Sequence, residues 1–217
     1  MDLKIWVVRL DCVSPDLSLL STNERLRAAR LRQQKDRVRW LEAHCATRRI
    51  LALELRVDPR YLEFDETDAG KPFLARPAQG LEFNLSHSGG HGLVAVAKDR
   101  HVGVDIEVRR SLSDILELAH QIASPDEAQL FEQVSTQEVH SIFFDLWTRK
   151  EAVLKAAGRG FLVDPRQVAV GIGPGRSYIN FDDRVWTVES LAVSPGVAAA
   201  TAIEGKLDTP PLVGSFE

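Results

Sequence analysis

The sequence predicts an α+β fold built from two similar halves, and three observations carry that expectation. Helical periodicity comes in long blocks, roughly 22–57 and 113–157, and does not alternate with single strands as in a βαβ-wound sheet. Short β-like runs separated by turns fill the tail from Gln167 to Ile203. Each half also ends on a glycine leading into small apolar residues, at Gly92–Ala97 and again at Gly196–Ala202. At 217 residues, 44% of them hydrophobic, the chain can bury a substantial core without disulfides or a structural metal. No low-complexity linker interrupts it, so the halves, 1–100 and 101–217, are expected to share a broad packed interface.

Taken in order, Lys4–Leu10 is short and β-branched and reads as a strand. Ser21-Thr22-Asn23 then offers N-cap chemistry for a helix, and Leu41, Cys45, Ala52 and Leu55 continue a helical pattern as far as Asp58-Pro59. Leu81–Leu85 and Gly92–Ala97 read as strands around a polar glycine-rich turn, followed by a strand of period two over His101–Val108. Helices are expected at Ser113–Ala123, from Ser124-Pro125 with proline at N1, and from about Gln137 to Ala157, with Gly158 just past the end. Further turns fall at Gly171–Gly175, Asp182-Asp183 and Pro195-Gly196.

Composition excludes several classes. Cys12 and Cys45 form no CxxC pair and read as reduced core thiols, so zinc, haem attachment and a redox dithiol lack support. Apolar runs such as Leu93–Ala97 fall well short of the ~20 residues of a membrane span, and no charged-then-apolar leader opens the chain, so a soluble cytoplasmic protein is expected. The net charge of −4 and the lack of a base-reading aromatic motif argue against nucleic acid. Charge is nonetheless uneven: nine basic residues against three acidic ones lie between Glu24 and Arg49.

Three segments carry chemistry. In Gly103-Val104-Asp105-Ile106-Glu107 strand alternation sends both carboxylates to one face, about 7 Å apart at Cα; such a pair suits a hard cation such as Mg²⁺, or simply a polar strand face. In the helix from Trp147, the residues Trp147, Glu151 and Lys155 share one face, which is either a site or a routine i,i+4 pair. Asn84–Gly92 supplies Ser86, His87 and a glycine-rich turn whose donors suit a phosphate. Neither Gly70-Lys71-Pro72 nor Gly171–Gly175 has the spacing of a Walker A loop.

The joint occurrence and order of GKP at 70–72, NLSHSG at 84–89, GVDIE at 103–107 and WTRKEAVLKAAGRG at 147–160 closely resembles the 4′-phosphopantetheinyl transferases of the surfactin-synthetase-activating type. The resemblance implies two α+β half-domains related by pseudo-twofold symmetry, with the active site in the cleft between them. It implies transfer of the phosphopantetheine arm of coenzyme A to a serine of an apo acyl or peptidyl carrier protein, releasing 3′,5′-ADP. Asp105, Glu107 and Glu151 would hold Mg²⁺; Glu151 would also serve as base, with Lys155 and Lys150 assisting. Coenzyme A would meet Arg39, Arg48, Lys71, Pro72, Ser86, His87 and Lys155. Arg39 and Arg48, nine residues apart on one helix, would point oppositely, so one of them is expected to miss the nucleotide. The arginines at 25, 27, 30 and 32 read as a solvated helix face from which some would meet an acidic carrier surface, and the resemblance implies a monomer. Rival readings are a non-catalytic module binding coenzyme A or a carrier protein, and a Mg²⁺-dependent nucleotide hydrolase.

Overall fold

Continuous apolar strands mark sheets that are covered on both faces. The computed structural model describes residues 3–11, 14–135, 138–173 and 175–216, so Cys12 and Gln137 lie outside the described residues. In β1 (Lys4–Arg9) and β5 (His91–Lys98), Leu3, Ile5, Leu93, Ala95 and Ala97 pack toward a second sheet. Their alternate neighbours Val8, Leu10, Val94 and Val96 pack beneath the long helix α2 (Gln34–Leu55). The second sheet repeats the arrangement in β6 (Val102–Val108) and β9 (Val197–Glu204). Val102, Val104, Ile106, Val197, Ala199 and Ile203 face the first sheet, while Ala198, Ala200 and Ala202 pack under α5 (Val139–Ala156). The result is four layers, helix, sheet, sheet, helix, with the α+β content that the sequence predicts.

Connectivity repeats between the halves. β1 pairs antiparallel with β5, which pairs with β4 (Leu81–Ser88); β6 pairs antiparallel with β9, which pairs with β8 (Arg184–Ser190), and β7 (Arg176–Phe181) forms the edge. The two glycine-led runs therefore occupy matching strands, β5 and β9. The β7–β8 turn uses Asp182 and Asp183 at φ of 54° and 59°, the left-handed values that short hairpin turns require. Two features were not read from the sequence: the hairpin of β2 (Glu63–Glu66) and β3 (Pro72–Arg76), and β10 (Leu212–Phe216). The last strand returns to the first sheet and pairs in parallel with β1.

The predicted helix over 22–57 is two helices. α1 (Thr22–Ala29) starts in a capping box made by Ser21 and Glu24, and α2 stops at Arg56 in the left-handed region, just ahead of Pro59. α3 (Ile115–Ile122) and α4 (Pro125–Phe131) follow the expected signals, including proline at N1 of α4. α5 departs from expectation. Of its polar stripe Glu151 is buried while Trp147 and Lys155 are half-buried, because β6, β8 and β9 lie on one side and α3, α4 and the segment around Val168–Val170 cover the other. The closest approach is at Gly103, where a Cβ would stand 2.1 Å from Ala152 O and 2.5 Å from Ala156 N. Only glycine lets this helix rest on that strand.

Candidate active site

The site forms where the edge strands of the two sheets, β4 and β6, run side by side. Side chains join them in register. Val104 N donates to Asn84 Oδ1 at 2.9 Å, Ser86 Oγ donates to Asp105 Oδ1 at 2.9 Å, and Ser88 Oγ donates to Glu107 Oε2 at 2.8 Å while accepting from Val108 N at 3.1 Å. Strand alternation makes this possible: even-numbered residues of β4 face β6, and Asp105 and Glu107 share the Gly103 face on which α5 lies. Ser86 and His87 sit on the strand itself and not in the turn as expected, because the β4–β5 ladder runs on to Ser88 and His91 and leaves only Gly89 and Gly90 to turn the chain.

α5 brings Glu151 and Lys155 over this seam. Lys155 does not pair with Glu151 one turn back. Its ammonium donates to Asp105 Oδ1 at 2.6 Å and to Ser86 Oγ at 3.1 Å, tying the helix to both sheets. Glu151 is 8% exposed, and its pKa is raised by burial and by the negative charges of Asp105 and Glu107 against the opposing pull of Lys155. Glu107 is likewise raised, by burial first, with Ser88 opposing and Asp105 adding. Asp105, Glu107 and Glu151 thus act on one another electrostatically with Lys155 as the opposing cation, an arrangement that favours further positive charge.

A divalent cation fits this donor set. Asp105 Oδ2 is buried with no hydrogen-bond partner among the described residues, and hard carboxylate oxygens suit Mg²⁺, which usually keeps waters and shares substrate phosphates. Among the described residues no three His, Cys, Asp or Glu side chains form a ready metal cage.

Cations ring the cleft. The His87 ring reaches the surface, yet its pKa is lowered by burial and then by the charges of His44, Lys155 and Arg39. Lys71, from the β2–β3 hairpin, places its ammonium 3.2 Å from Val102 O and 3.0 Å from Ala156 O, at the end of α5; burial lowers its pKa. Pro72 lines an adjoining cavity of about 760 Å³ whose walls include Trp40, His44, Phe64 and Leu85. Trp40 and His44 stack with ring centroids 3.6 Å apart. No sequence motif singles out these two; their i,i+4 spacing on the basic helix is the one signal that could find them. Arg39 bonds Asp11, discussed below.

Two expected site residues have their donors committed to the protein. Lys150 is fully buried on the far side of α5, 2.7 Å from Glu127 Oε2, and donates to Val168 O and Pro165 O. One residue on a helix is a rotation of about 100°, which turns Lys150 away from the face that carries Glu151. Arg48 is also buried. Its guanidinium holds Glu24 through Nε (3.3 Å) and Nη2 (2.7 Å), bonds Leu62 O at 2.9 Å, and stacks over Phe64 at 4.7 Å. It borders the cavity with its donors committed, which leaves Arg39 as the arginine of the pair that is open to a ligand.

Burial opposes ionisation of Glu24, but hydrogen bonds from His44, Arg48 and Ser21 outweigh it and hold the pKa at about 2, against 4.5 unperturbed. A depressed folded pKa stabilises above the unfolded value and loses that contribution as pH falls through the folded one. We expect about 3 kcal/mol to be lost between roughly pH 5 and pH 2. Urea unfolding should show wild type well above Glu24→Gln at pH 6, with the gap closing at pH 2; a gap unchanged over that range would sink this account.

Comparison with known proteins agrees across both sheets. The family described as the 4′-phosphopantetheinyl transferase superfamily matches residues 101–202, and one described as 4′-phosphopantetheinyl transferase, N-terminal, matches 6–99. The chain is similar to the 4′-phosphopantetheinyl transferase HetI of Nostoc sp., 33% identical over 210 residues, covering 94% of this chain and 88% of that one. It is similar to a phosphopantetheinyl transferase of Thraustochytrium sp., 33% identical over 176 residues, covering 76% and 58%. The 4′-phosphopantetheinyl transferase Sfp of Bacillus subtilis is 26% identical over 144 residues, covering 66% and 62%.

Proposed function

This chain belongs to the 4′-phosphopantetheinyl transferase superfamily, and we propose that it moves the phosphopantetheine arm of coenzyme A onto a serine of an apo acyl or peptidyl carrier protein, as an enzyme of the surfactin-synthetase-activating type. The observation that carries this reading is the convergence of Asp105, Glu107, Glu151 and Lys155 on the β4–β6 seam.

Asp105, Glu107 and Glu151 would hold Mg²⁺, which when bound supplies positive charge to the pyrophosphate oxygens. Glu151, raised in pKa and making no hydrogen bond among the described residues, accepts the proton of the attacking serine. The serine oxygen bonds to the phosphorus bearing the pantetheine arm, the bond from that phosphorus to the adenosine-side phosphate breaks, and 3′,5′-ADP leaves. Lys155, already aimed by Asp105 and Ser86, offsets charge on the transferring group. His87, Arg39 and Lys71 meet the phosphates, and the cavity beside Pro72 takes the nucleoside end.

On this reading residues 1–100 supply most of the coenzyme A contacts and 101–217 the metal and base, so one chain suffices and the enzyme acts as a monomer in the cytoplasm. Among the described residues no helix is long and apolar enough to cross a membrane. Arg27 is paired with Glu66, whereas Arg30 and Arg32 bond no carboxylate among the described residues and are the cations best placed to meet an acidic carrier surface.

Intact mass spectrometry of apo carrier proteins incubated with this protein, coenzyme A and Mg²⁺ tests the reading. The expected result is a gain of roughly 340 Da on the carrier, lost with EDTA and slowed by salt at subsaturating carrier. No gain on fatty-acid, polyketide and nonribosomal-peptide carriers, with coenzyme A binding intact, would refute it.

A further inference from the structure

We propose that Asp11 is a positioning residue that presets the Arg39 guanidinium for a phosphate of the nucleotide substrate; this rests on the reading of Arg39 as a phosphate contact. Asp11 follows β1, and Arg39 lies in the second turn of α2. Arg39 Nε donates to Asp11 Oδ1 at 2.8 Å and Nη2 to Oδ2 at 2.7 Å, a two-pronged carboxylate fork on one edge of the guanidinium. The adjacent end, Nη1 with the second Nη2 hydrogen, has no partner among the described residues. Two hydrogen bonds from a planar group fix its rotation, so the open end presents a second fork of defined direction.

The β4–β5 turn is shaped around this pair. A Cβ at Gly90 would come within 2.7 Å of Asp11 Oδ2 and 3.8 Å of Arg39 Nη2, and Leu10 N bonds Gly90 O at 3.0 Å. Glycine at 90 therefore lets the pair lie against the turn that follows Ser86 and His87. Arg39 is the more enclosed partner, its side chain 16% exposed against 49% for Asp11. An exposed ion pair contributes little to stability, so a purely structural tie would leave ligand binding where it was. A pair that pre-orients a long side chain removes an ordering cost that binding would otherwise bear.

The test measures the Kd of coenzyme A by calorimetry, with kcat and carrier KM, for Asp11→Ala, Asp11→Glu, Arg39→Ala and the double variant Asp11→Ala/Arg39→Ala. Asp11→Ala is expected to weaken coenzyme A binding about 3- to 10-fold with kcat and carrier KM unchanged. Asp11→Glu should recover part of the loss, and Asp11→Ala should add nothing once Arg39 is gone. If Asp11→Ala leaves Kd unchanged or tightens it while Arg39→Ala weakens it, positioning by Asp11 is refuted and Arg39 stands as a phosphate contact. An equal loss from Asp11→Ala with and without Arg39 refutes it too. If Arg39→Ala itself leaves Kd unchanged, the phosphate reading of Arg39 fails and the positioning role falls with it.

Discussion

Glu151→Gln should reduce kcat by about 10²- to 10⁴-fold, the usual contribution of a positioned general base, while the folded protein becomes slightly more stable. The two effects share one cause. Glu151 is buried beside Asp105 and Glu107, and its pKa is raised by that burial first, with Lys155 opposing and the charges of Asp105 and Glu107 adding. Glutamine keeps the shape and removes the charge, relieving the repulsion but leaving nothing to take the serine proton. The ligand-free variant should therefore melt at or above the wild-type temperature, the pattern of a site strained for function. Rates from the carrier mass-shift assay and melting curves together decide the matter. Turnover within tenfold of wild type would remove Glu151 from the role of base, and a lower melting temperature would contradict the electrostatic picture.

Lys150→Met should destabilise the protein by about 3–5 kcal/mol, the cost of stranding one partner of a buried ion pair. Lys150 is 0% exposed and Glu127 3%. Burial would push Glu127 up in pKa, but the Lys150 ammonium and the N–H groups of Ser124 and Val170 outweigh it and hold the carboxylate charged. Without Lys150 that charge keeps, among the described residues, only its backbone donors, Ser124, Val170 and Gly171. Against a total stability of about 5–15 kcal/mol, the single variant approaches the folding threshold. Adding Glu127→Gln removes the stranded charge and should recover much of the loss. Urea midpoints for the three proteins measure this, and a Lys150→Met midpoint equal to wild type would refute it. In conditions where Lys150→Met stays folded, its kcat should fall within a few-fold of wild type, since Lys150 lies outside the site.

These residues also mark how far the sequence could be read. The strands β1, β4, β5, β6, β8 and β9 announce themselves by apolar runs and turn residues, and Asp105 and Glu107 share a face because strand geometry leaves no other choice. Glu151 and Lys155 were assigned to one helical face by periodicity, but periodicity does not state which partner a side chain reaches, and Lys155 bonds Asp105 fifty residues away. The same limit explains Lys150 and Arg48. Each is a cation close in sequence to a proposed site residue, and only the packing of α4 against α5, or of α1 against α2, reveals the carboxylate that claims it. β10 was invisible for a related reason: its strand character depends on β1, some two hundred residues earlier in the chain.

The seam between β4 and β6 has a consequence for how the protein behaves on dilution. The serine bonds that orient Asp105 and Glu107 cross from one sheet to the other, so that part of the site depends on the two sheets staying in register. Were the sheets on separate molecules, that register would be a binding equilibrium, and specific activity would fall as the protein was diluted below its dissociation constant. Here both edges belong to one chain, and β10, leaving the second sheet to pair with β1, closes the connection a second time. Each sheet meets the other at the high effective concentration of a short tether. On the proposed monomeric reading, specific activity should therefore hold constant as the protein is diluted.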